Sequence, residues 1–213
     1  MPNGITEMHN STLVQADKPK NSLREILIIV FFYIFVISFL YRVQLASGFN
    51  ILTSDRFDGI IENSLLEHWY NVFRGKSSWN TVGYFFPYSN TMGYNDSYFL
   101  YGVISSIFRY LGIDLFLSAD LVNICLKTIG YFSFYTLCRR CIGIRPFFSV
   151  TGSVIFSLGN NLIIQSGHAQ LISVAFSPLL AIFLYRYITF LYSGKNKIKT
   201  ILFGCLSGLL IGS

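Results

Sequence analysis

Residues 26–41 form an almost wholly apolar run, and a second apolar stretch, 43–46, continues it past Arg42. About 20 apolar residues cross a bilayer core as one helix, so such a run is built for hydrocarbon. Comparable runs follow at 115–137, 146–158, 171–191 and 200–211. Composition agrees. A soluble domain carries roughly 25% charged residues, whereas this chain carries 12%, with 53% hydrophobic residues and a mean hydropathy of +0.52. The expected fold class is all-α: a polytopic transmembrane helical bundle of about five spans. The long first loop, extracytoplasmic, should contain amphipathic helices.

The positive charges set the topology. Lys18, Lys20 and Arg24 precede the first run, and cytoplasmic flanks hold the excess of Lys and Arg. Residues 1–24 are therefore expected to be a polar cytoplasmic tail, and residues 25–213 the transmembrane domain. The first run is expected to act as a retained signal anchor, since no small-residue cleavage site follows it. Residues 42–114 are then outside. The stretch 97–111 is helical but short for a span and carries Arg109, so it is placed as a peripheral or re-entrant outer helix. That placement delivers Arg139, Arg140, Arg145, Lys195, Lys197 and Lys199 to the cytoplasm. Residues 115–137 run inward, 146–158 outward up to a break at Gly159-Asn160-Asn161, and 171–191 inward with a kink at Pro178. Residues 200–211 begin a fifth span and are too few to cross unaided, which suggests a truncated product or a piece of a longer protein. The net charge of +6 does not point to nucleic acid, because no basic run interleaves with aromatics. An integral, multi-pass membrane protein with its N-terminus in the cytoplasm fits these features.

The chemistry is concentrated after the first span. Ser54-Asp55-Arg56-Phe57-Asp58-Gly59 leads on to Glu67-His68-Trp69. Read as a helix from Asp58, residues Ile61, Leu65, Trp69, Val72 and Phe73 share one face. Asp58 and Glu62 fall on that face, and Glu67 points the opposite way. A carboxylate on a face that seeks apolar cover must find a cation, a metal or a substrate, or raise its pKa. The plainer alternative is that Asp55 caps the helix and Asp58 is a first-turn acid. Asp55, Asp58 and Asp96 could instead hold a divalent cation, Mg or Mn, through oxygen ligands. One carboxylate could serve as general base for an acceptor hydroxyl, while Arg56 and Arg109 could meet a phosphate.

Other polar residues keep two readings open. Lys127 lies mid-span with Asn123 one turn before it. It either faces a cavity or partner or bends toward an interface. His168 is either a substrate contact or a satisfied loop histidine. Asp114 and Asp120 are explained by helix N-terminal charge complementarity. Cys138-x-x-Cys141 has metal spacing but no supporting second pair or histidine, so free thiols are expected. The run from Gly83 through Phe86-Pro87-Tyr88-Ser89-Asn90-Thr91-Met92-Gly93-Tyr94-Asn95-Asp96 is a loop whose aromatics suit a membrane interface.

In this order, Asp55-Arg56-Phe57-Asp58, Glu67-His68-Trp69, the Phe86-to-Asp96 loop and His168-Ala169-Gln170-Leu171 resemble the multi-spanning glycosyltransferases of the GT-C superfamily. The likeness covers roughly residues 26–192. It implies transfer of a sugar from a polyprenyl-phosphate donor to a cell-envelope glycan, lipid or protein acceptor, on the extracytoplasmic side. It implies Asp58 or Asp55 as the required acid and Asp96 as an assisting one. Glu67, His68, Asp96, His168, Gln170, Arg56 and Arg109 are the expected substrate contacts. Similar proteins are generally longer, with more spans. The competing expectations are a transporter or flippase component, favoured by Lys127 and Asn123, and a non-catalytic accessory protein or remnant.

Overall fold

A computed structural model describes residues 23–51, 53, 57–94, 96–159, 172–194 and 196–211. Most of the expected tail (1–22), Asp55, Arg56, Asn160, Asn161, His168, Gln170 and Lys195 lie outside the described residues. Among the described residues there are eight α-helices and no strand: α1 (Leu23–Leu40), α2 (Arg42–Ala46), α3 (Asp58–Phe73), α4 (Phe99–Tyr110), α5 (Leu115–Thr136), α6 (Pro146–Ser157), α7 (Ser177–Ser193) and α8 (Lys197–Ile211). A π-helical turn, Leu137–Ile142, prolongs α5, and a 3-10 turn, Ser173–Phe176, leads into α7.

Three of these segments are long and apolar enough to cross a membrane: Leu23–Leu40, Leu115–Ile142 and Ser173–Ser193. At 1.5 Å per residue, α6 and α8 extend only about 18 and 22 Å, short of a hydrocarbon core of about 30 Å. Sequence periodicity placed most helix boundaries within two or three residues. Pro178 differs from expectation. It does not kink the middle of a span but lies in the first turn of α7, where the missing N–H has no intrahelical partner to lose.

α5 is the axis of the molecule, packed by α1, α3, α4, α6 and α7. Its contacts with α1 climb one helix as they descend the other, so the pair is antiparallel. Glu25, at the start of α1, accepts hydrogen bonds from Tyr135 and from Arg139 Nε, the latter at 2.9 Å. One turn on, the Tyr131 hydroxyl donates to the Ile29 carbonyl at 3.1 Å, and then Tyr33 meets Thr128 at 2.8 Å. α6 runs antiparallel to α5 on a small-residue face of Ser149, Ser153 and Ser157, all buried. Close approach needs that smallness: a Cβ at Gly152 would stand 2.9 Å from the Phe134 ring. α7 starts beside α3, α4 and α5, where Ile172 and Ala175 join Leu65, Leu66, Tyr101 and Val122 in the larger core. It ends against the π-helical turn, and α8 folds back along it.

This arrangement gathers the acids at one end, where Arg42, Arg74, Lys76 and Arg109 also lie, and leaves the other end basic. Arg24, Arg139, Arg140, Arg145, Lys197 and Lys199 lie at the end where α1 begins and α5 finishes. Among the described residues, every carboxylate except Glu25 lies toward the other end. α3 and α4 close that other end as a helical hairpin. Their contact is set by Gly102, where a Cβ would stand 2.6 Å from Trp69 Cβ. Crowding of this kind typically costs about 1–3 kcal/mol. Gly102→Ala should therefore lower the thermal unfolding midpoint and red-shift Trp69 emission, while Gly208→Ala, with nothing within 4 Å, leaves both unchanged. Equal behaviour of the two variants would contradict the α3–α4 contact.

Candidate functional site at the acidic end

The polypeptide leaving α1 and α2 is tied to α5 before it reaches the acidic motif. Thr53 donates to Asp120 Oδ1 through its backbone N–H at 3.2 Å and through its hydroxyl. Asp120 thus has a different role from the one expected of it. It is 2% exposed and serves as a tertiary anchor, whereas Asp114 is the helix cap, accepting from the Phe116 and Leu117 N–H groups.

α3 then starts at Asp58, as its periodicity predicted. Phe57 precedes it without a side-chain cap. Asp58 is exposed, Glu62 one turn later is buried, and Asp96 is exposed just ahead of α4. All three carboxylates act electrostatically on one phenol. Burial raises the Tyr98 hydroxyl above the ordinary tyrosine range, and Glu62, Asp96 and Asp58 each raise it further. Tyr101 is shifted upward too, by burial and then by Glu62 and Tyr98. Both phenols therefore stay protonated and can donate to an oxygen. Tyr98 is held at φ +49° immediately before α4, a left-handed conformation costing about 1–2 kcal/mol for an L-residue. The two rings meet edge to face at 5.8 Å.

The Glu67-His68-Trp69 tripeptide fans out to three different partners. Glu67 takes a bidentate ion pair from Arg109, at 2.9 and 3.2 Å, joining α3 to the end of α4. Arg109 also donates to the Ile113 carbonyl at 2.7 Å and lies over the Tyr70 ring. Its hydrogen bonding to Glu67, more than any other influence, raises its pKa. His68 Nε2 donates to the Trp79 carbonyl at 3.3 Å, and its burial lowers its pKa against the opposing pull of that bond. Trp69 Nε1 donates to the Ser97 carbonyl at 2.5 Å. The tripeptide holds the hairpin and both ends of the intervening loop in place.

That loop is closed on itself. Val82 N–H donates to Thr91 Oγ1, Met92 N–H to the Asn80 carbonyl, and Asn90 N–H to Thr81 Oγ1. Val82, Thr91 and Met92 are buried, while Trp79, Tyr84, Phe86, Tyr88 and Tyr94 are exposed. The interior of the loop is thus a scaffold and its rim an aromatic surface.

A second polar group lies deeper, inside the bundle. Lys127 is 3% exposed, with Nζ 5.5 Å from the centre of the Tyr41 ring. It faces the interior, which rejects the reading in which it bends out through lipid. Asp120, Asn123 and Lys127 share one face of α5. Among the described residues, Asp120 Oδ2, Asn123 Oδ1 and the Tyr41 hydroxyl have no hydrogen-bond partner.

Of the residues read from sequence, Asp58 and Asp96 both act on Tyr98, Glu67 and Arg109 pair elsewhere, and Asp55, Arg56, His168 and Gln170 lie outside the described residues. No three metal-ligating side chains gather among the described residues, and Asp58 with Asp96 alone does not make a cation site. Tyr98, Tyr101 and Tyr41 were not anticipated. No spacing links them to the acids, and aromatic content alone marks only a buried or interfacial ring. Comparison with family models, with curated proteins and with solved structures finds no match for this chain.

His68 yields a pH test. Burial holds its folded pKa below the unfolded value of about 6.5. The unfolded chain then takes the proton first, so stability is complete above that value and declines as pH falls toward the folded pKa. Thermal midpoints should drop between about pH 7.5 and pH 5.5, with a shallower drop in His68→Gln. An identical slope in both proteins would contradict a buried, neutral His68.

Proposed function

We propose that the protein is a membrane glycosyltransferase of the GT-C kind, or the N-terminal part of one. It transfers a sugar from a polyprenyl-phosphate donor to a cell-envelope acceptor on the extracytoplasmic side. The observation that carries this reading is that Asp58, Glu62 and Asp96 all act on buried Tyr98, at the end of the bundle away from Arg24, Arg139, Arg140 and Arg145. On this reading the arginine end, with the N-terminus, is cytoplasmic by the positive-inside bias. α6 and α8 act as the third and fifth membrane segments, and the membrane is a bacterial inner membrane.

The reaction is an inverting displacement. The acceptor oxygen forms a bond to the anomeric carbon, and the bond from that carbon to the phosphate oxygen breaks. Asp58, exposed at the lip, accepts the acceptor's proton. The electron pair of the broken bond leaves on the polyprenyl phosphate. Tyr98 stays protonated and is fixed by its packing beside these acids. Buried Glu62 orients Tyr98. Stabilising the departing phosphate is a large part of such catalysis, and Arg109 is poorly placed for it because Glu67 already occupies its guanidinium. Arg56 is the better candidate. The exposed aromatic rim, Tyr84, Phe86 and Tyr88, suits sugar faces or the lipid interface. A divalent cation, if used, would need Asp55 with Asp58 and Asp96.

One observation favours a transporter or flippase component instead: the buried polar face of Asp120, Asn123 and Lys127 with unsatisfied oxygens. A single pair of variants separates the two. In proteoliposomes given a panel of polyprenyl-phosphate hexoses, Asp58→Asn should lower transfer by roughly 10²–10⁴-fold, while Lys127→Met leaves transfer measurable. Undiminished transfer by Asp58→Asn removes Asp58 from the mechanism. Solute uptake that is abolished by Lys127→Met and indifferent to Asp58→Asn would establish the transport reading.

A further inference from the structure

The arginine end of the bundle carries a groove that the reaction does not use. It lies between α1 and α6, has a volume of about 580 Å³, and is walled by Ile28, Phe32, Phe147, Val150, Val154 and Ile155. Arg24, Glu25 and Arg145 stand at one end of it. α1 and α6 both run antiparallel to α5, so they are parallel to one another and both begin at this charged end. From Arg145 to Ile155 the groove follows ten residues of helix, about 15 Å. That is half of a hydrocarbon core of about 30 Å, the depth of one leaflet.

From this geometry we infer that the groove binds one anionic glycerophospholipid, its acyl chain between α1 and α6 and its phosphate between Arg24 and Arg145. Charge complementarity selects the occupant. The single acid at the mouth, Glu25, is already engaged by Arg139 and Tyr135. Arg24 and Arg145 have no ion pair among the described residues, and Arg140 lies close enough to act on Glu25 as well. The mouth is therefore cationic overall. Basic pockets between transmembrane helices recognise anionic headgroups through this chemistry. An apolar helix of another protein would fill the walls and leave both guanidinium groups unanswered. The inference is independent of sugar transfer.

The test uses the full chain purified in detergent, loaded with phosphatidylglycerol or phosphatidylcholine and read by native mass spectrometry. The expected result is one retained phosphatidylglycerol per chain and at least tenfold less phosphatidylcholine. Arg24→Gln with Arg145→Gln should erase that preference. Thr151→Trp, which fills the groove from an exposed position, should release both lipids while helical content by circular dichroism is unchanged. A photo-crosslinker at position 151 should capture lipid. Equal retention of the two lipids, retention that ignores the double variant, or capture of polypeptide at 151 (a second copy or further chain in the groove) would each overturn the proposal.

Discussion

A bilayer tolerates few charges in its core, and three segments of this chain are long and apolar enough to meet that constraint. The antiparallel pairing of α1 with α5 is its direct expression. Glu25, Tyr135 and Arg139 close the pair at one end, where a carboxylate and a guanidinium answer one another before either meets hydrocarbon. Thr53 and Asp120 fasten the chain at the other end. The remaining elements are attached to this pair: α6 by small residues, α7 by the core around Val122, and the α3–α4 hairpin over the far end. Reversing the pairing would bring Glu25 among Asp114, Asp120 and Glu62, and would leave the arginines without a partner.

The acidic end is built in two tiers. The lower tier consists of one ion pair and backbone-directed hydrogen bonds from Glu67, His68, Trp69 and Thr91, which add polar ties to a hairpin and loop already packed on the larger core. The upper tier is the set that this scaffold presents: Asp58 and Asp96 at the surface, Glu62 and two protonated phenols below. This division explains why a motif can be distinctive in sequence without touching a reactant. Glu67-His68-Trp69 stands out because three successive side chains must each reach a different target. Its role in the described structure is positioning.

How much of this was legible in the sequence depended on whether the signal was local. Helix boundaries were legible because apolar periodicity and local punctuation, an acid at Asp114 where α5 begins and the Gly159 break after the third run, are short-range. The sorting of charge was legible because the bilayer acts on each segment separately. The pairing of Glu67 with Arg109, 42 residues apart, was not, since nothing local distinguishes a guanidinium that awaits phosphate from one that has found a carboxylate. Tyr98 was hidden for the same reason: its importance comes from acids on α3 and from a left-handed backbone that no residue type announces. Lys127 lay between these cases. Its depth was readable from the sequence, but its direction, toward Tyr41 rather than lipid, was a matter of packing.

The central claim is that every described carboxylate except Glu25 lies toward one end of the bundle and Arg24, Arg139, Arg140 and Arg145 at the other, on opposite sides of a membrane. Two-sided thiol labelling in a cysteine-free background tests it most directly, with single cysteines at Lys76 in the acidic-end loop and at Gly143 beside the arginines. In sealed right-side-out vesicles, an impermeant maleimide should label position 76 at once and position 143 only after permeabilisation. Labelling of both positions from the same side, or of position 143 alone, would contradict the account.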